Sequence, residues 1–352
     1  MPENNNAGSV VAGIDIGGTK TSAILCNRAG DVIASGTVPT PATLGGPAMS
    51  AAAAELVQRL ESDCGLRAKA VGVGAAGVID QKNGVVTAAS ASFTGWAGFE
   101  LAADLRSRLG VGAVIDNDVN SFLRGEMSYG ALAGVKDAVG LMLGTGVGGA
   151  IAVGGQIFPG SRGAAGEIGH TPGYSDIGCT CGQVGHLETL ASGRSISERY
   201  AERRGADERV GADVVADRAR VGDADARETY ARAGRAVALA IATTVNILDV
   251  RDVVVGGGVR GAWDLLEPAI QETLAGHMPV SGYSLAVHPG ALAGRSAVLG
   301  AAAAAWQLVD EHATGNNAEP GAFPFQEEAV EPWLPAVANR VQDAQIVEEI
   351  PC

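Results

Sequence analysis

No stretch of the chain is apolar for long enough to cross a bilayer. The longest nearly unbroken run, Ala297 to Trp306, falls far short of the ~20 residues a membrane helix needs. The opening residues, MPENNNAGS, carry neither the basic patch nor the apolar stretch of a secretory signal, so the expectation is a cytoplasmic protein with no membrane partner. Positive charge is also scarce. Lys and Arg number 25 against 39 Asp and Glu, a formal net charge of −14, which argues against nucleic acid as a partner. Nine acidic side chains and one arginine fall between 310 and 352, so more than half of the excess is local, in what reads as an acidic tail. Cysteines are few and odd in number, five, and unevenly spread, which excludes a disulfide framework. What the chain has in plenty is glycine: 51 of 352 residues, about twice the usual ~7% share, gathered in short strings. With 47% hydrophobic residues the chain can bury a sizeable core, and its length suits two domains.

Apolar periodicity gives a plan that runs twice. Strands from Val10, at Thr21 to Cys26 and at Asp31 to Val38 surround a glycine turn and form a meander. An amphipathic helix over 47–62 follows, its apolar positions Met49, Ala53, Leu56, Val57 and Leu60. Strand Ala70 to Ala75, a helix at 100–109, strand Gly112 to Ile115 and a helix from about Val119 complete the first half. The second half reads as strands Ala138 to Leu143 and Ala150 to Val153 around another glycine turn, then a helix at 224–248. Strand Val253 to Val255, a helix near 262–274, strand Ser284 to Val287 and a last helix at 291–308 follow. Strand, glycine turn and strand open each half, which predicts a duplicated α/β fold.

Five stretches carry chemistry. In Gly13-Ile-Asp-Ile-Gly-Gly-Thr-Lys20 the glycines let amides approach an anion, Asp15 can hold Mg²⁺ through water, and Thr19 and Lys20 can meet phosphoryl oxygens. A plain hairpin with a surface lysine is the alternative, and the spacing is not that of a Walker A loop. Gly144, Gly146 and Gly149 formally match a dinucleotide fingerprint, but Ala150 to Val153 continues as a strand where that fingerprint needs a helix. A hairpin over phosphates fits better. Val253 to Val259 holds Gly256, Gly257 and Gly258, against which a flat ligand could lie, unless they form only a tight turn. At Ile115-Asp-Asn-Asp-Val-Asn120 polar side chains crowd a strand end, where they either cap a helix or mark a site. Asp118 is the candidate general base there. Finally His170, Cys179, Cys181 and His186 fall within seventeen residues and offer the thiolates and imidazoles of a closed, structural Zn²⁺ site; free thiols in a glycine loop are the alternative. Glu167 and Glu188 flank that cluster and could take sugar hydroxyls.

Taken in order, these stretches resemble the ROK family of sugar kinases and related repressors, over roughly residues 10–308. The resemblance implies the actin-like ATPase (ribonuclease H-like) fold, two βββαβα lobes with an interdomain cleft. It also implies a small lobe of residues 1–118 completed by the helix at 291–308, a large lobe of 119–290 with the zinc loop at 166–188, and the tail at 310–352. Asp118 would be the catalytic base. Asn117, Glu167, His170, Glu188 and Gly77 would contact the sugar, as would Ser92, which stands where family kinases often carry an asparagine. His170 would bind both zinc and sugar, and His186 replaces a cysteine frequent in the family. Asp15, Gly17, Gly18, Thr19 and Lys20 would form the first phosphate segment. Gly144, Thr145, Gly146 and Gly148 would form the second, and Gly256 to Gly258 the adenosine segment, with ATP and Mg²⁺ as donor pair.

The expected activity is phosphorylation of the 6-hydroxyl of an aldohexose, glucose first, with N-acetylmannosamine or N-acetylglucosamine as the alternative. A sugar-responsive regulator that does not phosphorylate is a distant third. The family's repressors carry a helix-turn-helix ahead of the first glycine turn, and the fourteen residues before Asp15 are too few for one. By family analogy the partners are sugar, ATP and a second copy of the chain, in a homodimer or homotetramer.

Overall fold

The computed structural model describes residues 8–90, 92–205 and 209–314. In the first half β1 (Val10–Ile16), β2 (Lys20–Cys26) and β3 (Val32–Pro39) form the meander, and α1 (Gly46–Cys64) leads to β4 (Ala68–Ala75). A small hairpin of β5 (Val78–Asp80) and β6 (Val85–Ala88) precedes α2 (Leu101–Leu109), β7 (Gly112–Asn117) and α3 (Asp118–Tyr129). The second half begins with β8 (Ala138–Leu143), β9 (Val147–Val153) and β10 (Gln156–Ile157). Helices α4 (Glu188–Ala191), α5 (Gly193–Arg203), α6 (Ala212–Arg220) and α7 (Ala224–Leu248) follow, then β11 (Asp252–Gly256), α8 (Trp263–Ala275), β12 (Ala286–Pro289) and α9 (Ser296–Thr314).

The two main sheets repeat one topology. The first has order β3-β2-β1-β4-β7 and the second β10-β9-β8-β11-β12. In each the first three strands are antiparallel and the last two run parallel to the first. Parallel strands need covering on both faces, and β1 displays the consequence at single-residue spacing. Val10, Ala12, Ile14 and Ile16 join the core under α1 and α2, whereas Val11 joins the one under α9. In the second sheet Val253 and Val255 face the helices α4 to α8, and Val254 faces α3. Helices α3 and α9 therefore lie between the sheets and pack on each other.

Local chemistry sets the element ends. Pro47 sits in the first turn of α1 and Gly65 ends it in a left-handed conformation. Asp223 caps α7 through the Ala226 amide, and Asp249, at φ 53°, stops it. The last helix corrects the expected boundaries: it starts at Ser296, not 291, and reaches Thr314, beyond 308. Residues 291–295 turn instead, with Ala293 and Gly294 at positive φ. The Glu126 carboxylate accepts hydrogen bonds from the Ala291 and Leu292 amides and from the Ser296 hydroxyl. Asp310, assigned above to the tail, lies in this helix and pairs with both terminal nitrogens of Arg28 at 2.7 and 2.8 Å. The remainder of the expected tail, 315–352, lies outside the described residues.

Candidate active site

The carboxyl ends of β1, β4 and β7 lie side by side, with Asp15 opposite Gly74 and Gly74 opposite Asp116. Open α/β sheets bind ligands at that edge. Three polar residues leave it in succession, and their surroundings separate them. Asp116 is buried, and its Oδ1 accepts hydrogen bonds from Gln81 (2.5 Å), the Asn117 amide (2.7 Å) and Asn120 (2.8 Å). Its Oδ2 pairs with Arg124 at 2.6 Å, so its hydrogen-bonding capacity is largely used. Asn117 caps α3, its Oδ1 accepting from the Val119 and Asn120 amides, and its Nδ2 donates to the Gly77 carbonyl at 2.9 Å. That bond ties the helix start to the segment after β4.

Asp118, the first residue of α3, accepts the Val119 amide at 3.0 Å and its own backbone amide. Burial, followed by the charge of nearby Asp15, pushes its pKa up to about 7 against the pull of those amides, and Glu167 adds to the rise. Burial likewise holds Asp15 at about 6, with Lys20 pulling it down. Two carboxylates of raised pKa thus share one edge, a combination frequent at catalytic sites.

The loop after β6 lies on the same edge. Trp96 is fully buried, donates from Nε1 to the Ala76 carbonyl at 2.9 Å and stacks on Phe93 and Phe99. Phe93 in turn lies beside Gly18. Ser92 is exposed, its hydroxyl 2.6 Å from that of Ser90. Gly17 donates to the Lys20 carbonyl to close the β1–β2 turn, while Thr19 and Lys20 point outward.

The second and third glycine segments meet through the second sheet. Residues 144–146 turn tightly between β8 and β9, with the Gly144 amide on the Gly146 carbonyl at 2.9 Å. Strand β9 begins at once with Val147, and its second residue, Gly148, packs on Val119 and so brings the hairpin beside Asp118. Gly257, at φ 85°, lies flat against the Leu143 backbone where any side chain would collide. Gly256 faces the ring of Phe122 on α3, and Gly258 is open. The Gly193 amide, opening α5, donates to the Gly144 carbonyl at 2.8 Å.

Glu167 and His170 frame a single 3₁₀ turn whose glycine, Gly169, lies against the Val147 carbonyl. Nδ1 of His170 is 3.3 Å from Nδ1 of His186 and 3.9 Å from Sγ of Cys179, and Sγ of Cys181 is 3.3 Å from Nδ1 of His186. The four donor atoms all lie within 4.8 Å of one another. Bonds of ~2.0–2.3 Å give a zinc tetrahedron edges of ~3.3–3.8 Å, so the set fits such an ion closely. His186 is buried and its Nε2 meets Gln183 Oε1 at 3.1 Å, which leaves Nδ1 for a metal. Glu188 is buried and engaged on both oxygens: Oε2 accepts the Val147 amide at 3.0 Å, and Oε1 accepts Arg194 at 3.0 Å and Thr180 at 3.3 Å. Sequence reasoning passed over Trp96, Arg124, Thr180 and Arg194. Thr180 lies between Cys179 and Cys181 in the metal stretch, where its hydroxyl gave no signal, whereas Trp96, Arg124 and Arg194 lie outside the five stretches and are brought to the site by the fold.

The sequence profile of the ROK family matches residues 11–307. The chain is 32% identical over 306 residues to the glucokinase of Thermotoga maritima, across 82% of this chain and 95% of that one. It is 34% identical over 251 residues to the N-acetylmannosamine kinase of Escherichia coli O9:H4, across 70% and 82%. The ROK family glucokinase of Streptomyces griseus, solved with glucose and AMPPNP, matches with a TM-score of 0.75 and 28% identity, covering 85% of this chain and 100% of that one. The duplicated sheets are those of the actin-like ATPase fold of such kinases. Profile, relatives and architecture agree, and the chain belongs to the ROK family.

Proposed function

We propose that this chain is an ATP-dependent sugar kinase that phosphorylates the 6-hydroxyl of an aldohexose, with glucose the leading substrate. The observation that carries the reading is the contrast at the end of β7. Asp116 is held by several side-chain hydrogen bonds and an arginine, whereas Asp118 meets only adjacent backbone amides among the described residues and has its pKa pushed up to about 7. A carboxylate of that basicity is suited to accept the proton of a hydroxyl at neutral pH. As the 6-oxygen bonds to the γ-phosphorus, Asp118 takes its proton and the bond to the β,γ-bridging oxygen breaks, leaving sugar 6-phosphate and ADP. Asn117, Gly77, Ser92, Glu167, His170 and Glu188 hold the sugar.

The turns at Gly17 to Lys20 and Gly144 to Gly148, Thr145 included, direct amides, hydroxyls and one ammonium at the phosphates, and Gly256 to Gly258 support the adenosine. Mg²⁺ arriving with ATP would be held through water by Asp15 and would neutralise phosphate charge. Zn²⁺, held by His170, Cys179, Cys181 and His186, would stiffen the sugar loop and fix the His170 ring. An ATP-consuming activity would suit the ATP-rich cytoplasm. A homodimer or homotetramer would cover the exposed Leu239, Ile247, Met278 and Val280.

The 34% identity to an N-acetylmannosamine kinase supports a second reading, in which the sugar carries a 2-acetamido group. A coupled ADP-release assay over hexoses and N-acetylhexosamines tests both. Glucose turned over fastest upholds the first, and an N-acetylhexosamine upholds the second. Sugar binding without ADP release would favour a regulator and overturn the kinase reading. Removing zinc with a chelator, or making Cys179→Ser, is expected to raise KM for sugar roughly tenfold before KM for ATP changes, because the metal loop carries His170 and adjoins Glu188. Metal analysis that finds no zinc in the purified protein would refute this.

A further inference from the structure

Glu188 stands where three separately built parts meet. Its Oε2 accepts the amide of Val147, the first residue after the phosphate turn. Its Oε1 accepts the hydroxyl of Thr180, which lies between the two metal-ligand thiols, and the guanidinium of Arg194. The same Arg194 nitrogen lies 3.3 Å from the Thr180 hydroxyl, so the three groups form a closed triangle. Arg194 is placed by the fold and not by chance contact. It is the second residue of α5, whose Gly193 amide is bound to the Gly144 carbonyl and whose start is capped by Ser192. The helix that braces the phosphate turn through its backbone thus braces Glu188 through a side chain.

Behind the triangle is a cavity of about 250 Å³ lined by Thr180, Glu188, Arg194 and Arg199, among others. A water molecule takes up about 30 Å³ of liquid, so a carboxylate released from Arg194 has room to turn away and be solvated there. Arg199 lines the same cavity; its Nη2 pairs with Glu198 and Glu202 while its Nε has no hydrogen-bond partner among the described residues, so it offers a carboxylate released from Arg194 a partner inside the cavity.

We infer that Arg194 is a positioning residue for sugar recognition: it keeps the Glu188 carboxylate out of the cavity and aligned between the metal loop and the phosphate hairpin. This rests on the reading of Glu188 as a sugar contact. The arrangement explains why a carboxylate that must meet a neutral polyol is buried beside a cation: the pair holds its geometry before the sugar arrives, and a preorganised acceptor loses less freedom on binding.

The test uses steady-state kinetics with glucose, or with N-acetylmannosamine if the panel prefers it, on Arg194→Met, Arg194→Lys, Glu188→Gln and the Arg194→Met/Glu188→Gln pair. Arg194→Met is expected to raise KM for sugar about tenfold with kcat, KM for ATP and zinc content each within about threefold. Arg194→Lys, which keeps the charge, should recover most of the loss. In the Glu188→Gln background, Arg194→Met should add less than about twofold, because it acts through the group already altered. Should Arg194→Met not fold, Arg194→Gln takes its place with the same expected split. A sugar KM unchanged by Arg194→Met, or a full tenfold effect on top of Glu188→Gln, overturns the inference. A sugar KM unchanged by Glu188→Gln overturns instead the assignment of Glu188 to the sugar.

Discussion

Asp118→Asn is expected to lower kcat by about 10³-fold or more while sugar affinity stays within roughly tenfold. The carboxamide has nearly the shape of the carboxylate and its oxygen can still accept the Val119 amide, but it cannot take a proton from the hydroxyl. Two pH measurements sharpen the result. In the parent, kcat should rise with pH through about 7, since only the ionised form of Asp118 is a base. Stability should show the opposite face of the same shift. The folded pKa of Asp118 is raised above the ~3.9 of an unfolded chain, so its ionisation weighs against the folded state. That penalty is absent below about pH 4, grows up to about pH 7, and is constant above. The Asn variant carries none of it and should melt higher than the parent at pH 8, with the two converging near pH 4. Turnover retained in Asp118→Asn would remove the general-base assignment.

Gly300→Ala should destabilise the fold by about 3 kcal/mol or more, the upper end of what overpacking costs. Gly300, on α9, lies directly against the Ser121 carbonyl of α3, and Gly125 of α3 lies against the Ser296 carbonyl. A methyl group at 300 would overlap a backbone atom that cannot rotate out of the way. Nor can α9 retreat, because Gly13 and Gly72 of the first sheet press on the Val298 and Ala301 carbonyls from the other side. The intrinsic preference of Ala over Gly in a helix, about 1 kcal/mol, opposes the clash but is smaller. Gly261→Ala, at a position with open space and ordinary φ, is the control and should lie within about 0.5 kcal/mol of the parent. Chemical denaturation of both variants decides it: equal midpoints would mean that α3 and α9 do not touch at these glycines.

The long periodic elements were legible because their periodicity and their end signals agree. Helix α7 spans 224–248 in both readings, bounded by Asp223 and Asp249. The last helix was misplaced because Ala291, Leu292 and Ala293 look helical, yet Glu126, 165 residues earlier, takes the amides of the first two. No local pattern can announce such a partner. Helices α5 and α6 escaped notice because arginines and acids dilute an apolar stripe made of Ile196, Tyr200, Ala201, Val215, Ala216 and Ala219. At the site, residue types sufficed to nominate Asp118 and the His–Cys cluster. What distinguishes Asp118 from Asp116 is the company of Gln81 and Arg124, which tertiary structure alone supplies.

The position of α9 has a consequence for synthesis on the ribosome. The sheet containing β1 is fully translated by residue 117, but the helix that covers one of its faces begins at Ser296. At elongation rates of ~5–20 residues per second, that interval lasts roughly ten to forty seconds. Throughout it Val11, Ile24 and Ala70 have no final cover. The nascent amino-terminal half therefore presents that apolar face to solvent until α9 has emerged and docked.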